Sequence, residues 1–365
     1  MSMWCSQARS PSACSRSSDA RLARARLCLG VERARHYNPR VNESTLARPR
    51  PPSDHGRFRA WALALIIATI AVILWGAFVR VTGSGAGCAD HWPLCNGVLV
   101  PRAPKLATLI ELTHRITSSL AGLLSVAVFF YARREFSLGA PARRAATLGL
   151  VLMLLEGAIG ALLVKAGLVA KNASEARALV VGIHLCNTFL LLGAQVLTYH
   201  FARGGAPLKV RGQPARLATL LVLLTLALLL GATGAITALG DTLFPAESLR
   251  HGVAQDLTPG AHFLIRLRVW HPLLAVLGGG VIVYLAQSLR SAVESPEVTR
   301  WAWLVTGVYV AQLGAGSLNL LLLAPAPIQL THLFLADLVW ISLVMLGAHA
   351  LAAPADQPIL ESAAS

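Results

Sequence analysis

The sequence predicts an all-α membrane protein whose eight transmembrane helices form two four-helix bundles related by a pseudo-twofold axis. Three observations predict this fold. Only 13% of the 365 residues are charged, about half the fraction found in soluble proteins, and the mean hydropathy is +0.60. Several apolar runs reach roughly 20 residues, the length of a helix that crosses a bilayer. A weak internal repeat divides these runs into two halves.

The apolar runs define the predicted spans to within a few residues. The spans cover residues 60–80, 106–131, 145–165, 177–199, 217–238, 263–288, 301–323 and 327–350. Strands are not expected, because a membrane barrel shows alternation over about ten residues instead. The prolines of the segment APAP, residues 324–327, predict a turn between the last two spans.

Basic loops predict the orientation in the membrane. Loops 132–144 and 200–216 each hold four Arg or Lys, whereas the other loops have mixed or low charge. The positive-inside rule therefore puts both basic loops and both termini in the cytoplasm. A bacterial inner membrane is the expected location, with the mitochondrial inner membrane as the second candidate. Since the net charge of +15 accumulates where topology requires it, the lipid bilayer is an expected partner and nucleic acid is not.

Four segments make up the predicted domain organisation. Residues 1–57 are rich in Arg, Ser and Pro and are predicted to be a disordered basic cytoplasmic tail, with a mitochondrial transit peptide as the alternative. Residues 58–204 form the first four-helix bundle and residues 205–351 the second. Residues 352–365 are predicted to be a cytoplasmic tail.

Short motifs recur in the two halves. WGAFVRVTGSG in span one resembles LLGATGAITALGD in span five, which pairs Gly76 with Gly231. ELTHRITSSLAG in span two resembles RLRVWHPLLAVLGG in span six, which pairs His114 with His271. Because each half has four helices, an even number, both halves have the same orientation, as in other membrane proteins built from parallel repeats.

Four histidines lie at a common predicted depth, one on each even-numbered span. They are His114, His184, His271 and His332. At about 1.5 Å per residue they lie roughly 8–12 Å below the outer boundary. Ionisable groups inside a membrane are usually functional, and paired imidazoles on facing helices of a bundle are typical haem ligands. We therefore expect two porphyrin sites, His114 with His184 and His271 with His332. Zinc is the weaker alternative, because no further ligand cluster lies at that depth.

The two halves differ beside these histidines. Glu111 lies one helical turn before His114, whereas Arg268 has the corresponding position before His271. A buried carboxyl group can transfer protons, and arginine pairs with carboxylates such as haem propionates. The first half is therefore expected to carry out chemistry, and the second to hold an electron-transfer or structural haem.

Each of these charged residues has a structural alternative. Glu111 could form an ion pair with Arg115 or Arg80. Arg80 and Arg268 are candidates for binding haem propionates, or for extending to lipid headgroups. Glu156, an acid nearer the membrane middle, has either a function or a hydrogen bond to a neighbouring helix.

Two cysteines fall in the first outer loop, in the segment GCADHWPLCNG. Cys88 and Cys95 are expected to form a disulfide, because this loop faces an oxidising compartment. A role of this disulfide in electron transfer is left open, as is a metal site that includes His91.

Motifs along the membrane region resemble the haem A synthase family. They are GAFVRVTGSGAGCADHWPLCNG, ELTHRITSSLAG, GIHLCNTFLL, GDTLFP, AHFLIRLRVWHPLLA and QLTHLFLADLVW, between about residues 60 and 350. The resemblance implies an oxidoreductase that converts the C8 methyl group of haem O to a formyl group by successive hydroxylations. It implies catalytic roles for Glu111, His114 and His184, haem b (iron) bound by His271 and His332, and an outer-loop pair formed by Cys88 and Cys95.

The resemblance also implies partners, and it leaves alternatives. Haem O as substrate, haem O synthase and an electron-transfer protein are the implied partners, and a homo-oligomer is left open. Some family members have a second outer-loop cysteine pair, which this chain lacks. The alternative functions are an electron-transfer dihaem b-type cytochrome, and a transporter with His and Glu as a proton relay.

Overall fold

The computed structural model describes residues 55–352, and nine helices form over these residues. The predicted tails, apart from residues 55–57 and 352, lie outside the described residues. The helices are α1 (Gly56–Val81), α2 (Leu106–Glu135), α3 (Pro141–Lys165), α4 (Glu175–Ala202), α5 (Pro214–Leu243), α6 (Leu249–Leu257), α7 (Phe263–Ala292), α8 (Pro296–Leu321) and α9 (Ala326–Ala350).

Eight of these helices are long and apolar enough to cross a membrane. They coincide with the eight predicted spans, which confirms the predicted all-α membrane fold, and no strand occurs between residues 55 and 352. The helices extend beyond the predicted spans because charged side chains occupy their end turns, such as Arg133 and Arg134 in α2. Such residues can extend to the interface while their backbone stays helical.

Local sequence signals set several helix starts. Proline occupies the first turn of α3, α5, α8 and α9, where its missing N–H costs no hydrogen bond. The side chains of Ser174 and Ser295 cap α4 and α8 by accepting hydrogen bonds from the backbone N–H groups of Arg177 and Val298.

The short helix α6 was not predicted. It has nine residues, no buried side chain, and a cap at Ser248. Membrane spans are marked by apolar runs of about 20 residues, and α6 has no such run, because its composition is as polar as that of a loop. It lies between α5 and α7 and contacts α7.

The spanning helices pack as two groups of four. In the first group α1 contacts α2 and α4, and α3 contacts α2 and α4; in the second group α5 contacts α7 and α9, and α8 contacts α7 and α9. The groups meet where α4 contacts α5 and α9, and where α1 contacts α9. The predicted bundle boundaries at residues 58–204 and 205–351, and the pseudo-twofold relation of the bundles, stay predictions.

Helices α4 and α9 form the centre of the membrane region. About half of each span is buried, 56% for α4 and 50% for α9, against 28% or less for the other spans. Phe189 of α4 and Trp340 of α9 stack with ring centres 5.4 Å apart. The remaining helices expose many large apolar side chains, which is expected where lipid surrounds the protein.

Candidate functional site

The four predicted histidines lie on the second and last spanning helices of the two groups. His114 is on α2, His184 on α4, His271 on α7 and His332 on α9, and all four side chains are half-buried. The Nδ1 atoms of His114, His184 and His332 are buried, and no group within residues 55–352 forms a hydrogen bond with them. A buried imidazole without partners is costly, and this cost points to a ligand.

The second group brings its two histidines together. The rings of His271 and His332 have centres 6.4 Å apart and are nearly perpendicular. The Thr233 hydroxyl lies 3.1 Å from Nδ1 of His271, and the Gln312 amide nitrogen lies 3.3 Å from Nε2 of His332. Neither Thr233 nor Gln312 was predicted from the sequence.

In the first group, His114 of α2 lies against Gly76 of α1, and His184 lies on α4. Glu156 of α3 is next to His184, with Oε1 3.4 Å from Nδ1. The carboxyl group of Glu156 also accepts hydrogen bonds from Asn187 and Thr188 on α4. Glu156 therefore forms the predicted hydrogen bond to a neighbouring helix and also lies beside a candidate ligand.

Glycines let neighbouring helices pass close to three of the histidine rings. The pairs are Gly76 with His114, Gly234 with His271, and Gly316 with His332. A Cβ atom added at Gly76, Gly234 or Gly316 would lie 3.0, 3.0 or 2.9 Å from the ring Cε1. The contact of Gly76 is thus repeated by Gly234 and not by Gly231, which faces Phe189. The predicted alignment of the halves was about one helical turn out of register here.

Glu111 is buried and faces the first outer loop. Its Oε2 accepts a hydrogen bond of 2.9 Å from the backbone N–H of Cys88, and its Oε1 forms an ion pair with Arg115. Arg115 also donates to the carbonyl oxygens of His91 and Leu94, at 2.6 and 2.7 Å. Glu111 and Arg115 together hold this loop against α2. The ion pair is the one considered as an alternative, and a catalytic role of Glu111 stays a prediction.

The predicted disulfide between Cys88 and Cys95 is present, and both residues are buried. The amide N–H of Cys88 is the one that Glu111 binds. The disulfide therefore closes a loop that is attached to α2 one turn from His114.

Arg80 joins the two groups of helices. Its guanidinium group donates to the Ala238 carbonyl oxygen at 2.6 Å and to the Thr242 hydroxyl at 2.8 Å, both on α5. It also donates to Oε1 of Gln329 on α9 at 3.0 Å. These partners belong to the second half, and a haem-binding role of Arg80 stays a prediction.

Arg268 is buried beneath α6. It pairs with Asp256 at 2.5 Å and donates to Oε1 of Gln255 at 2.8 Å and to the Phe244 carbonyl oxygen at 3.1 Å. The predicted role in haem binding stays a prediction. In this structure Arg268 connects α7 to the loop that contains α6.

The paired histidines of the second half fit a haem. A porphyrin provides the in-plane ligands of its iron and needs only two axial ligands from the protein. Within residues 55–352, no group of three or more His, Cys, Asp or Glu side chains is arranged to hold a metal ion. With metal–nitrogen bonds of about 2 Å, two imidazoles on opposite faces of one metal have ring centres roughly 6 Å apart, which is close to the separation of His271 and His332.

A comparison with protein families shows to which family the membrane region belongs. Residues 59–344 match the model of the cytochrome oxidase assembly protein family COX15-CtaA. The chain belongs to this family. The match covers all eight spanning helices except for a few end residues, and it includes the four histidines, Glu111 and both cysteines of the disulfide.

Curated relatives support the predicted membership of the haem A synthase family. The chain is 32% identical over 143 residues to heme A synthase from Alkalihalophilus pseudofirmus, which covers 39% of this chain and 46% of the relative. It is 39% identical over 101 residues to heme A synthase from Geobacillus kaustophilus, which covers 28% of this chain and 32% of the relative.

A longer match is to a protein named protoheme IX farnesyltransferase from Thermus thermophilus. The identity is 48% over 296 residues, which are 81% of this chain and 48% of the relative. The chain spans about half the length of the curated relatives it matches. The name of this relative therefore describes a protein of which this chain resembles only a part.

Proposed function

We propose that this chain is a haem A synthase, an oxidoreductase that converts the C8 methyl group of haem O to a formyl group by two successive hydroxylations and loss of water. One observation carries the proposal. Both halves have two histidines at corresponding positions, but within residues 55–352 a carboxyl oxygen lies within 4 Å of one of these rings only in the first half, where Glu156 is 3.4 Å from His184, and Glu111 precedes His114 by one helical turn. This difference supports a reacting haem in the first half and a resident haem in the second.

Named residues would hold the two haems. His271 and His332 would hold haem b in the second half, and His114 and His184 would hold haem O in the first. Bound haem iron supplies the one-electron chemistry that amino-acid side chains lack. Arg80 and Arg268, at the outer ends of α1 and α7, would orient haem propionates through charge-assisted hydrogen bonds.

Glu111 is proposed as the proton-transferring group of the first half. Its carboxyl group is fixed by the Cys88 amide and by Arg115, so it does not rotate freely toward the outer solution. Oε2 of Glu111 would accept and return a proton during hydroxylation, as a general base and acid. The disulfide of Cys88 and Cys95 keeps the amide donor in position.

The membrane location and partners belong to the same proposal. The basic loops support an inner-membrane protein with both termini in the cytoplasm. The farnesyltransferase name of the T. thermophilus relative supports a partnership with the enzyme that makes haem O. Oxidation of a methyl group to a formyl group removes four electrons and adds one oxygen atom, so the reaction needs an electron acceptor if water supplies that oxygen, or an electron donor if dioxygen does.

The test is the haem composition of cells that make haem O, with and without this chain. Extracted haems are separated by chromatography, and haem A is expected only when the chain is present. Glu111→Gln should lower haem A by about a hundredfold or more, since general acid–base groups contribute at least that factor, and should retain the resident haem. The matched control is Asp90→Asn, which changes an exposed acid in the loop between Cys88 and Cys95.

Two results would contradict this assignment. Haem A at the normal level in Glu111→Gln cells would remove Glu111 from the reaction. A purified protein with two haems and no change in cellular haem composition would favour the electron-transfer cytochrome instead.

A further inference from the structure

Glu156 occupies a position beside His184 that nothing in the proposed reaction has used. Its Oε1 lies 3.4 Å from Nδ1 of His184. The two atoms do not form a hydrogen bond in this arrangement, and that Nδ1 has no other partner within the described residues. A carboxyl group and a buried, unpartnered imidazole nitrogen therefore face each other across a gap that a small ring rotation closes.

Two side chains of α4 hold this carboxyl group in place. Asn187 donates to Oε2 at 2.6 Å, and the Thr188 hydroxyl donates to Oε1. Asn187 also donates to the Leu152 carbonyl oxygen at 3.0 Å, which fixes it against α3. Glu156 thus cannot turn away from His184 without losing two hydrogen bonds inside the membrane region.

The second half has a different group at the corresponding position. Gln312 and Gly316 on α8 have the same spacing as Glu156 and Gly160 on α3. The Gln312 amide nitrogen lies 3.3 Å from Nε2 of His332, and Nδ1 of His332 has no hydrogen-bond partner in the described part of the chain. The first half thus offers a carboxyl oxygen to Nδ1, whereas the second half offers a neutral amide to Nε2.

We propose that Glu156 is a positioning residue for the first haem site, where it accepts the Nδ1–H hydrogen bond of His184 and directs Nε2 toward the iron. The proposal rests on the proposed function, which makes His184 a haem ligand. Histidine ligands of metals usually donate their outer N–H to a carboxylate or carbonyl, which fixes the tautomer and makes the ligand more electron-rich. Haem at the first site would then have a lower reduction potential than with a neutral partner.

The test is a haem titration of the full-length protein purified with its resident haem. Ferric protoporphyrin IX is added to the wild type, to Glu156→Gln and to a matched control, Glu135→Gln. Glu135 has the same side chain and ends α2, where it contacts His55. Absorbance gives the Kd of the added haem, and a potentiometric titration gives its reduction potential.

Glu156→Gln is expected to raise the Kd of the added haem about tenfold and to shift its reduction potential upward. Glu135→Gln should leave both values at those of the wild type. A residue that only connects α3 to α4 would not move the potential. Equal Kd values and equal potentials in the wild type and Glu156→Gln would therefore overturn the proposal.

One further variant guards against misfolding. The resident haem content of Glu156→Gln reports whether the second half is intact. If that content falls, Thr188→Val removes one hydrogen bond to the carboxyl group and keeps its charge, and the same shifts are expected with smaller size.

The failure of this inference can be distinguished from failure of the proposed function. If the wild type takes up no added haem, the first haem site itself is absent and both proposals fail. If the wild type and Glu156→Gln take it up equally and with equal potentials, only the role of Glu156 fails.

Discussion

At the scale of single residues, the absence of a side chain is as important here as the chemistry of the histidines. Gly316 lets α8 approach the ring of His332, since an added Cβ would lie 2.9 Å from its Cε1. For Gly314, two residues earlier on the same helix, an added Cβ would lie more than 4 Å from every other described residue beyond its own stretch of helix. A comparison of substitutions at the two glycines therefore distinguishes the effect of contact with the ring from the general effect of replacing glycine in a helix.

Gly316→Ala is expected to displace the His332 ring and to weaken binding of the resident haem about tenfold, the size of effect seen when the surroundings of a metal ligand change. Gly314→Ala should leave haem binding unchanged. Both changes raise the helix propensity of α8 by about 1 kcal/mol, so this effect cancels. The measurement is Soret absorbance per protein. Equal haem content in the two variants would contradict the proposed ligand role of His332.

At the scale of helices, α7 and α8 are joined more firmly than α2 and α3. The Tyr309 hydroxyl of α8 donates to the Ala275 carbonyl oxygen of α7 at 2.8 Å, and the Gln287 amide donates to the Thr306 hydroxyl at 2.9 Å. Over residues 106–165 no side-chain hydrogen bond joins α2 to α3. In the first half the side-chain hydrogen bonds of α3 join it to α4 instead, where Asn187 and Thr188 donate to Glu156.

Tyr309→Phe should lower the free energy of unfolding by about 1 kcal/mol, the usual contribution of one interhelical hydrogen bond. The control is Tyr284→Phe, because Tyr284 is 70% exposed on α7. Thermal unfolding in detergent measures both. A Tyr309→Phe protein with the stability of the control would show that the hydroxyl group does not hold α7 to α8.

At the scale of the whole molecule, the two halves are connected by buried packing and by one arginine. α4 and α9 supply the central apolar contact, including the stack of Phe189 on Trp340. Arg80 adds three hydrogen bonds from the first half to the second. Charged hydrogen bonds of this kind are stronger than neutral ones, so this residue contributes to how the halves are held together.

Arg80→Met should lower the free energy of unfolding by about 2–3 kcal/mol, because it removes charge-assisted hydrogen bonds and leaves acceptors unpaired. Arg266→Met is the control, since Arg266 is exposed in the first turn of α7. Thermal unfolding and haem content are measured together. Equal stability of Arg80→Met and Arg266→Met would contradict this interpretation.

The sequence alone was sufficient to predict the eight spans and the disulfide, and it identified the four histidines as candidate ligands. Hydropathy is a property of a local segment, so the eight spans were found without knowledge of their neighbours. The disulfide was also predictable, because both of its cysteines lie within one short segment, GCADHWPLCNG. The nine-residue helix α6 was missed because its composition is that of a loop.

Only the tertiary structure decided which groups face each other. It turned Glu111 toward the Cys88 amide, Arg80 toward the opposite half, and Gln312 and Thr233 toward the second histidine pair. It also showed that Gly234, and not Gly231, is the counterpart of Gly76 in the second half. Hydropathy is summed along one helix and determines whether that helix crosses the membrane. The partners of a side chain depend on the rotation of each helix against its neighbours, and packing between helices sets that rotation.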